Sequence, residues 1–220
     1  MEKNEYLMLE KLELEMWWFQ SLRRLIDILV KKYVTDHPYE ILDLGCGFGG
    51  LLRRIENHYE CGLAIGIDID HFSLTTAKTK SADNIRYVLG SINSLPFVAD
   101  KFSLITSTDV LDARSVDVRT ALSEIFSRLR PGGAFVVTVP ANKWMFSPHD
   151  ERVHTAARYA KSELRSCLED AGFAIEFISY FIWGKTHSRY VITGIYCQIL
   201  SVYIHQFNSC SNSIIHINHR

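Results

Sequence analysis

The run Ile41-Leu42-Asp43-Leu44-Gly45-Cys46-Gly47-Phe48-Gly49-Gly50 constrains this 220-residue chain more than any other segment. A short apolar strand breaks into closely spaced glycines and resumes as a helix at Leu51 to Asn57. Glycines let the backbone turn tightly and approach a ligand without a Cβ in the way. The helix that follows offers unpaired N–H groups and partial positive charge, which suit a carboxylate or a phosphate. Nineteen residues past Gly49, Asp68 ends a second apolar run, Leu63 to Ile67. An acid at that place can accept hydrogen bonds from both hydroxyls of a ribose.

The alternation continues along the chain. A helix reads from about Glu5 to Val34, with Leu22, Leu25, Ile26 and Leu29 at i, i+3, i+4 and i+7. Asp36-His37-Pro38 ends it, because the residue before proline is pushed out of the α region. Further helices are expected at Phe72–Lys80, Arg119–Leu129 and Lys161–Asp170, and further strands at Ile85–Leu89, Lys101–Thr106, Ala134–Val139 and Phe173–Phe181. Strands alternating with helices of this length imply βαβ units and a mostly parallel sheet with helices on both faces. The expected organisation is a helical cover over residues 1–36, a main domain over 37–205 with a lid at 140–162, and a flexible tail over 206–220.

Composition narrows the partners. A formal net charge of -1 gives no broad electrostatic footprint for nucleic acid, and Arg23, Arg24, Lys31 and Lys32 read as a solvated helix face. The odd number of cysteines, 5, includes no C-x-x-C pair, and the first residues carry Glu2, Glu5 and Glu10 where a secretory signal would be basic and then apolar. A cytoplasmic setting is the expectation. The apolar stretch Tyr190 to Ile204 is shorter than the ~20 residues a spanning helix needs. It reads as a buried strand or helix, with peripheral membrane contact through this C-terminal region as the lesser alternative.

Two cofactors fit the glycine pattern. Gly45, Gly47 and Gly50 satisfy G-x-G-x-x-G, the dinucleotide fingerprint, while Gly45, Gly47 and Gly49 satisfy G-x-G-x-G. Asp43, two residues before the first glycine, would face a pyrophosphate badly but suits the ammonium of a methionine moiety. The acid tilts the choice to S-adenosylmethionine.

With these residues in view, the sequence resembles the class I S-adenosylmethionine-dependent methyltransferases, in a type 11/12-like subgroup. Asp43 to Gly49 looks like that family's first motif and Ile65-Gly66-Ile67-Asp68-Ile69 like its second. Gly90 to Phe97 is similar to the segment around the adenine. Phe102 to Ile105 with Val110-Leu111-Asp112 resembles the fourth strand and its turn, and Leu129-Arg130-Pro131-Gly132-Gly133 the loop before the fifth. The resemblance implies an α/β, Rossmann-like doubly wound sheet of about seven strands, with helices on both faces. It implies S-adenosyl-L-methionine held by Asp43, Gly45, Cys46, Gly47, Gly49, Asp68, Ile69, Ser91, Ile92 and Ser107. Two departures stand out: Ser91 where relatives often carry an acid, and Ala113 where a histidine commonly follows the acid at Asp112.

Methyl transfer from a sulfonium is an in-line displacement on an activated carbon, so positioning can supply much of the rate. A general base helps when the acceptor must lose a proton. His149, Asp150 and His154 follow the fifth strand and are the candidate catalytic group, with Asp150 expected to orient an imidazole. The alternative for these residues is that they tie down the lid. No metal site is expected. The acceptor implied is a small molecule or a lipid- or glycan-linked group, with O-methylation favoured slightly. A non-catalytic S-adenosylmethionine-binding protein and, further off, an NAD(P)-dependent oxidoreductase are the rival readings.

Overall fold

The computed structural model describes residues 17–34, 39–58, 61–152, 154–188 and 191–205. The expectations for residues 5–16 and for the tail 206–220 lie outside the described residues, as does that for the side chain of His149.

Helix α1 (Trp17–Tyr33) leads into strand β1 (Tyr39–Leu44), helix α2 (Gly50–His58) and strand β2 (Cys61–Asp68). Helix α3 (His71–Lys80), strands β3 (Ile85–Leu89) and β4 (Phe102–Thr108), helix α4 (Val118–Arg128) and strand β5 (Leu129–Pro140) follow. A 3-10 turn (Lys143–Met145) and a short helix α5 (Pro148–Arg152) precede helix α6 (Lys161–Asp170). Strands β6 (Phe173–Ser188) and β7 (Val191–His205) end the sheet. Aspartates set two helix starts: Asp70 accepts from the Ser73 N–H at 2.7 Å, and Asp117 from the Thr120 N–H at 2.8 Å.

The strand order is β3-β2-β1-β4-β5-β7-β6. β3, β2, β1, β4 and β5 run parallel to their neighbours, while β7 inserts antiparallel between β5 and β6. The mostly parallel α/β expectation holds, and the apolar stretch near residue 190 resolves as a strand. Among the described residues no helix is long and apolar enough to cross a membrane.

Side chains alternate between two cores, as the two-residue period of a strand requires. Leu42, Leu44 and Ile105 face α4 and α6 through Leu122, Ile125, Leu164 and Leu168. Ile41, Leu104 and Val136 face the other way, onto Leu22, Ile26, Leu29 and Val30 of α1 and Leu52 and Ile55 of α2. Arg54 of α2 ties the two helices on this face together by bonding Asp27 of α1 at 2.6 Å. The chain leaves β1 toward β2 on one side and returns to β4 on the other, so a crevice opens at the carboxyl ends of β1 and β4, where such sheets bind ligands.

Candidate functional site

The glycine turn sits at this crevice. Gly45, Gly47 and Gly49 have φ of 64°, 50° and 75°, the left-handed region that other residues enter at a cost. The turn is tied to the neighbouring strand, since the N–H groups of Gly45 and Cys46 both donate to the Ile67 carbonyl, at 2.8 and 3.1 Å. At Gly45 there is no room for a side chain, because a Cβ would lie 2.3 Å from a methyl of Val110.

Asp43 is buried at 2% exposure, and its Oδ1 accepts from the Thr106 hydroxyl at 2.7 Å. Register explains the pair, since Asp43 and Thr106 lie side by side on β1 and β4. Asp68 ends β2 with its carboxylate fixed at both oxygens: Oδ2 accepts from the Gly47 N–H and Oδ1 from the Asp70 N–H, each at 2.9 Å. The expected acid thus buttresses the glycine turn itself. Carboxylate oxygens accept more than one hydrogen bond, so these bonds leave capacity for a diol.

Ile69, next in the chain, is 66% exposed. A large apolar side chain standing out beside a diol-binding acid suits the face of a heterocycle. Ser91 accepts from the Asn93 N–H at 3.2 Å and shapes the loop after β3. Cys46 and Ile92 belong to the same expected set. Both are buried in the cores, the Cys46 sulfur against Gly66, because these two positions fall on inward faces of the turn and loop. Ser107 is fully buried, and its hydroxyl has no hydrogen-bond partner among the described residues.

A cleft beside the turn is lined by Phe19, Leu22, Arg23 and Ile26 of α1, by Asp43, Gly45, Cys46 and Leu51, and by Thr108. Its α1 residues recur at i, i+3, i+4 and i+7, one helix face. Arg23 therefore belongs to the cleft, whereas Arg24, Lys31 and Lys32 are solvent-exposed as a basic face would be. The helical spacing of Phe19, Leu22, Arg23 and Ile26 was the available signal for this role. A guanidinium and a carboxylate both line this cleft, and the two charges of an amino-acid moiety are their complements.

Downstream, Asp150 is almost wholly buried. Its Oδ1 pairs with Arg158, at 3.0 Å from Nε and 2.8 Å from Nη2, and its Oδ2 accepts from the Ser147 N–H and hydroxyl at 2.7 and 2.9 Å. Burial pushes the Asp150 carboxyl up, but the Arg158 and Ser147 bonds outweigh it and hold the group below the usual carboxylate range. Both oxygens are thus occupied by Arg158 and Ser147. His154 is exposed, at a φ of 63°.

The strap from residue 154 to 159 stitches two rims together. It bonds the β4 exit through Arg114 N–H to the His154 carbonyl, Ala156 N–H to the Asp112 carbonyl and the Tyr159 hydroxyl to the Leu111 carbonyl. It bonds the β5 exit through Tyr159 N–H to the Pro140 carbonyl and Arg158 Nη1 to the Ala141 carbonyl. Burial, with Asp112 nearby, pushes the Tyr159 hydroxyl up to about 12.

A glycine turn, an acid at the end of β2, an exposed apolar neighbour and a cleft of mixed charge have the chemistry a nucleoside joined to an amino acid would need. The residues fit S-adenosylmethionine on donor chemistry alone.

Comparisons with known proteins agree. Residues 41–133 match the model of a methyltransferase domain. The trans-aconitate 2-methyltransferase of Deinococcus radiodurans is 30% identical over 136 residues, which is 61% of this chain and 49% of that protein. The sarcosine/dimethylglycine N-methyltransferase of Aphanothece halophytica is 26% identical over 156 residues, 64% of this chain and 53% of that one. Among solved structures, the YcgJ protein from Bacillus subtilis superposes with a TM-score of 0.70 at 18% identity, covering 83% of this chain and 98% of that chain. Over residues 41–133 the chain is similar to the methyltransferase-domain family. It spans about half the length of the curated relatives it matches.

Proposed function

We propose that this protein transfers a methyl group from S-adenosylmethionine to a small-molecule or lipid- or glycan-linked acceptor, with oxygen the favoured atom. The observation that carries the reading is Asp68 bonded to Gly47, which joins the diol-binding acid and the glycine turn in one rigid unit. When bound, the cofactor supplies an electrophilic methyl on a positively charged sulfur. The chain's own task is to bind and orient. Asp68 and the exposed Ile69 take the nucleoside end, and the cleft of Arg23, Asp43 and Gly45 takes the amino-acid end. Residues 140–162 form the lid, and the Asp150–Arg158 pair positions it. His149 and His154, carried by that lid, are the candidate groups for accepting the acceptor's proton.

Calorimetric titration with S-adenosylhomocysteine and with NAD tests the cofactor assignment. Binding of the first and none of the second is expected. Asp68→Ala should weaken S-adenosylhomocysteine binding at least ~30-fold, since two ribose hydrogen bonds to a charged acceptor are worth roughly 1.5–3 kcal/mol each. NAD binding without S-adenosylhomocysteine binding would reverse the assignment. Transfer of labelled methyl across a panel of hydroxyl, amine and carboxylate acceptors separates an enzyme from a binding module. With an acceptor in hand, His149→Ala and His154→Ala should each be assayed across pH. Loss of ~100-fold or more in turnover marks a base, and unchanged turnover in both removes the histidines from the mechanism.

A further inference from the structure

Asp112 lies in the turn after β4, between the glycine turn and the lid. Val110, two residues before it, packs on Gly45. Its other neighbours belong to the strap: the Thr155 hydroxyl donates to Oδ2 at 3.1 Å, the Ala156 N–H donates to its carbonyl at 2.6 Å, and Ala113 bridges Thr155. Asp112 is 4% exposed, and its Oδ1 has no hydrogen-bond partner among the described residues. A buried carboxylate oxygen left unpaired is costly, and a donor from water or a ligand would relieve that cost. Nearby charge acts in both directions, Arg158 favouring the ionised carboxylate and Asp150 opposing it. The charged groups facing it are Asp150 and Arg158, and Arg158 is already paired with Asp150. Tyr159, also close, stays neutral.

We propose that Asp112 recognises the acceptor: its unpartnered Oδ1 takes a hydrogen bond from an acceptor hydroxyl or amine, which makes Asp112 a specificity-determining residue for donor-bearing acceptors. The inference rests on the methyl-transfer reading and names the acceptor chemistry for that same site. The acceptor must lie between cofactor and lid, and Asp112 touches the lid on one side while its own turn packs on the cofactor loop on the other. An acceptor whose only polar groups are carboxylates would meet a like charge and be rejected.

The test uses the full chain and needs no identified acceptor. Thermal unfolding is measured from pH 5 to pH 8 for the wild type, Asp112→Asn and Thr155→Val. Burial, opposed by the Thr155 bond, raises the Asp112 carboxyl above its usual value. A group raised in the folded state stabilises it fully below its unfolded value and loses that stabilisation as pH rises through the folded one. Asp112→Asn is therefore expected to unfold a few degrees above the wild type, with the gap growing as pH rises above the ordinary aspartate value, while Thr155→Val unfolds lower. A merely structural aspartate would give a less stable asparagine variant at every pH, and that result overturns the proposal.

The second measurement follows the Asp112 carboxyl carbon by NMR in the complex with S-adenosylhomocysteine. Catechol and glycinamide should shift it, and succinate should not. No shift with either donor-bearing probe, or an equal shift with succinate, overturns the proposal. Binding of S-adenosylhomocysteine should change less than threefold in Asp112→Asn. Loss of it in that variant alone reassigns Asp112 to the cofactor, whereas its absence in the wild type defeats the methyl-transfer reading instead.

Discussion

Gly45→Ala should abolish measurable binding of S-adenosylhomocysteine, a loss of ~100-fold or more, and destabilise the fold by about 2–5 kcal/mol. Two costs combine. A residue with a Cβ at a φ of 64° pays roughly 1–2 kcal/mol for the left-handed conformation. The added methyl also meets the Val110 side chain at 2.3, 3.2 and 3.3 Å, so rotating Val110 exchanges one collision for another, and overpacking of this kind costs about 1–3 kcal/mol. The double variant Gly45→Ala/Val110→Ala separates the two, because it removes the collision and leaves the backbone strain. It should recover part of the stability in urea unfolding while binding remains weakened. If the single variant binds S-adenosylhomocysteine within threefold of the wild type, the turn is not the binding element.

Asp150→Ala is the second large effect, about 3–5 kcal/mol of stability at neutral pH, because it leaves the Arg158 guanidinium buried without its partner. The side chains of the pair are 11% and 3% exposed, so water cannot take over the solvation. Removing both charges in Asp150→Ala/Arg158→Met should cost less than removing the aspartate alone, the signature of an uncompensated charge. The pH dependence runs opposite to that of Asp112. Asp150 titrates low in the folded state, so its contribution is present above its unfolded value near ~3.9 and is lost as pH falls through the folded one. Urea unfolding at pH 7 and pH 3 should show the wild type's advantage over Asp150→Ala shrinking at the lower pH. An equal difference at both would mean that the ion pair is not what stabilises the strap. Loosening the strap should also raise KM for the acceptor more than it affects cofactor binding.

Much of the site was legible before the fold. The glycine spacing, Asp43 and Asp68 are local features, and a strand that ends in a turn puts such residues at a sheet's carboxyl edge whatever packs around it. The directions of the Cys46 and Ile92 side chains were not legible in the same way. Both stand inside the motif, yet their side chains enter the cores, and motif membership says nothing about which way a turn residue points. Asp150 illustrates a different limit. His149 precedes it in sequence, but its partner is Arg158, eight residues away and reached only because the strap folds back from β4 to β5.

By itself the sequence determined the α/β alternation, the parallel body of the sheet and the cofactor turn. These follow from periods of 2 and 3.6 residues and from glycine's backbone freedom, all of which act within a few residues of chain. Tertiary structure alone decided that the apolar stretch after residue 190 is an antiparallel strand between β5 and β6, and that Thr106 holds Asp43 across 63 residues. It also decided that Arg23 faces the cleft, and that one Asp112 oxygen has no partner among the described residues. Each of these depends on which strands become neighbours and in what register, and pairing between distant segments is set by the packing of the whole sheet rather than by local pattern.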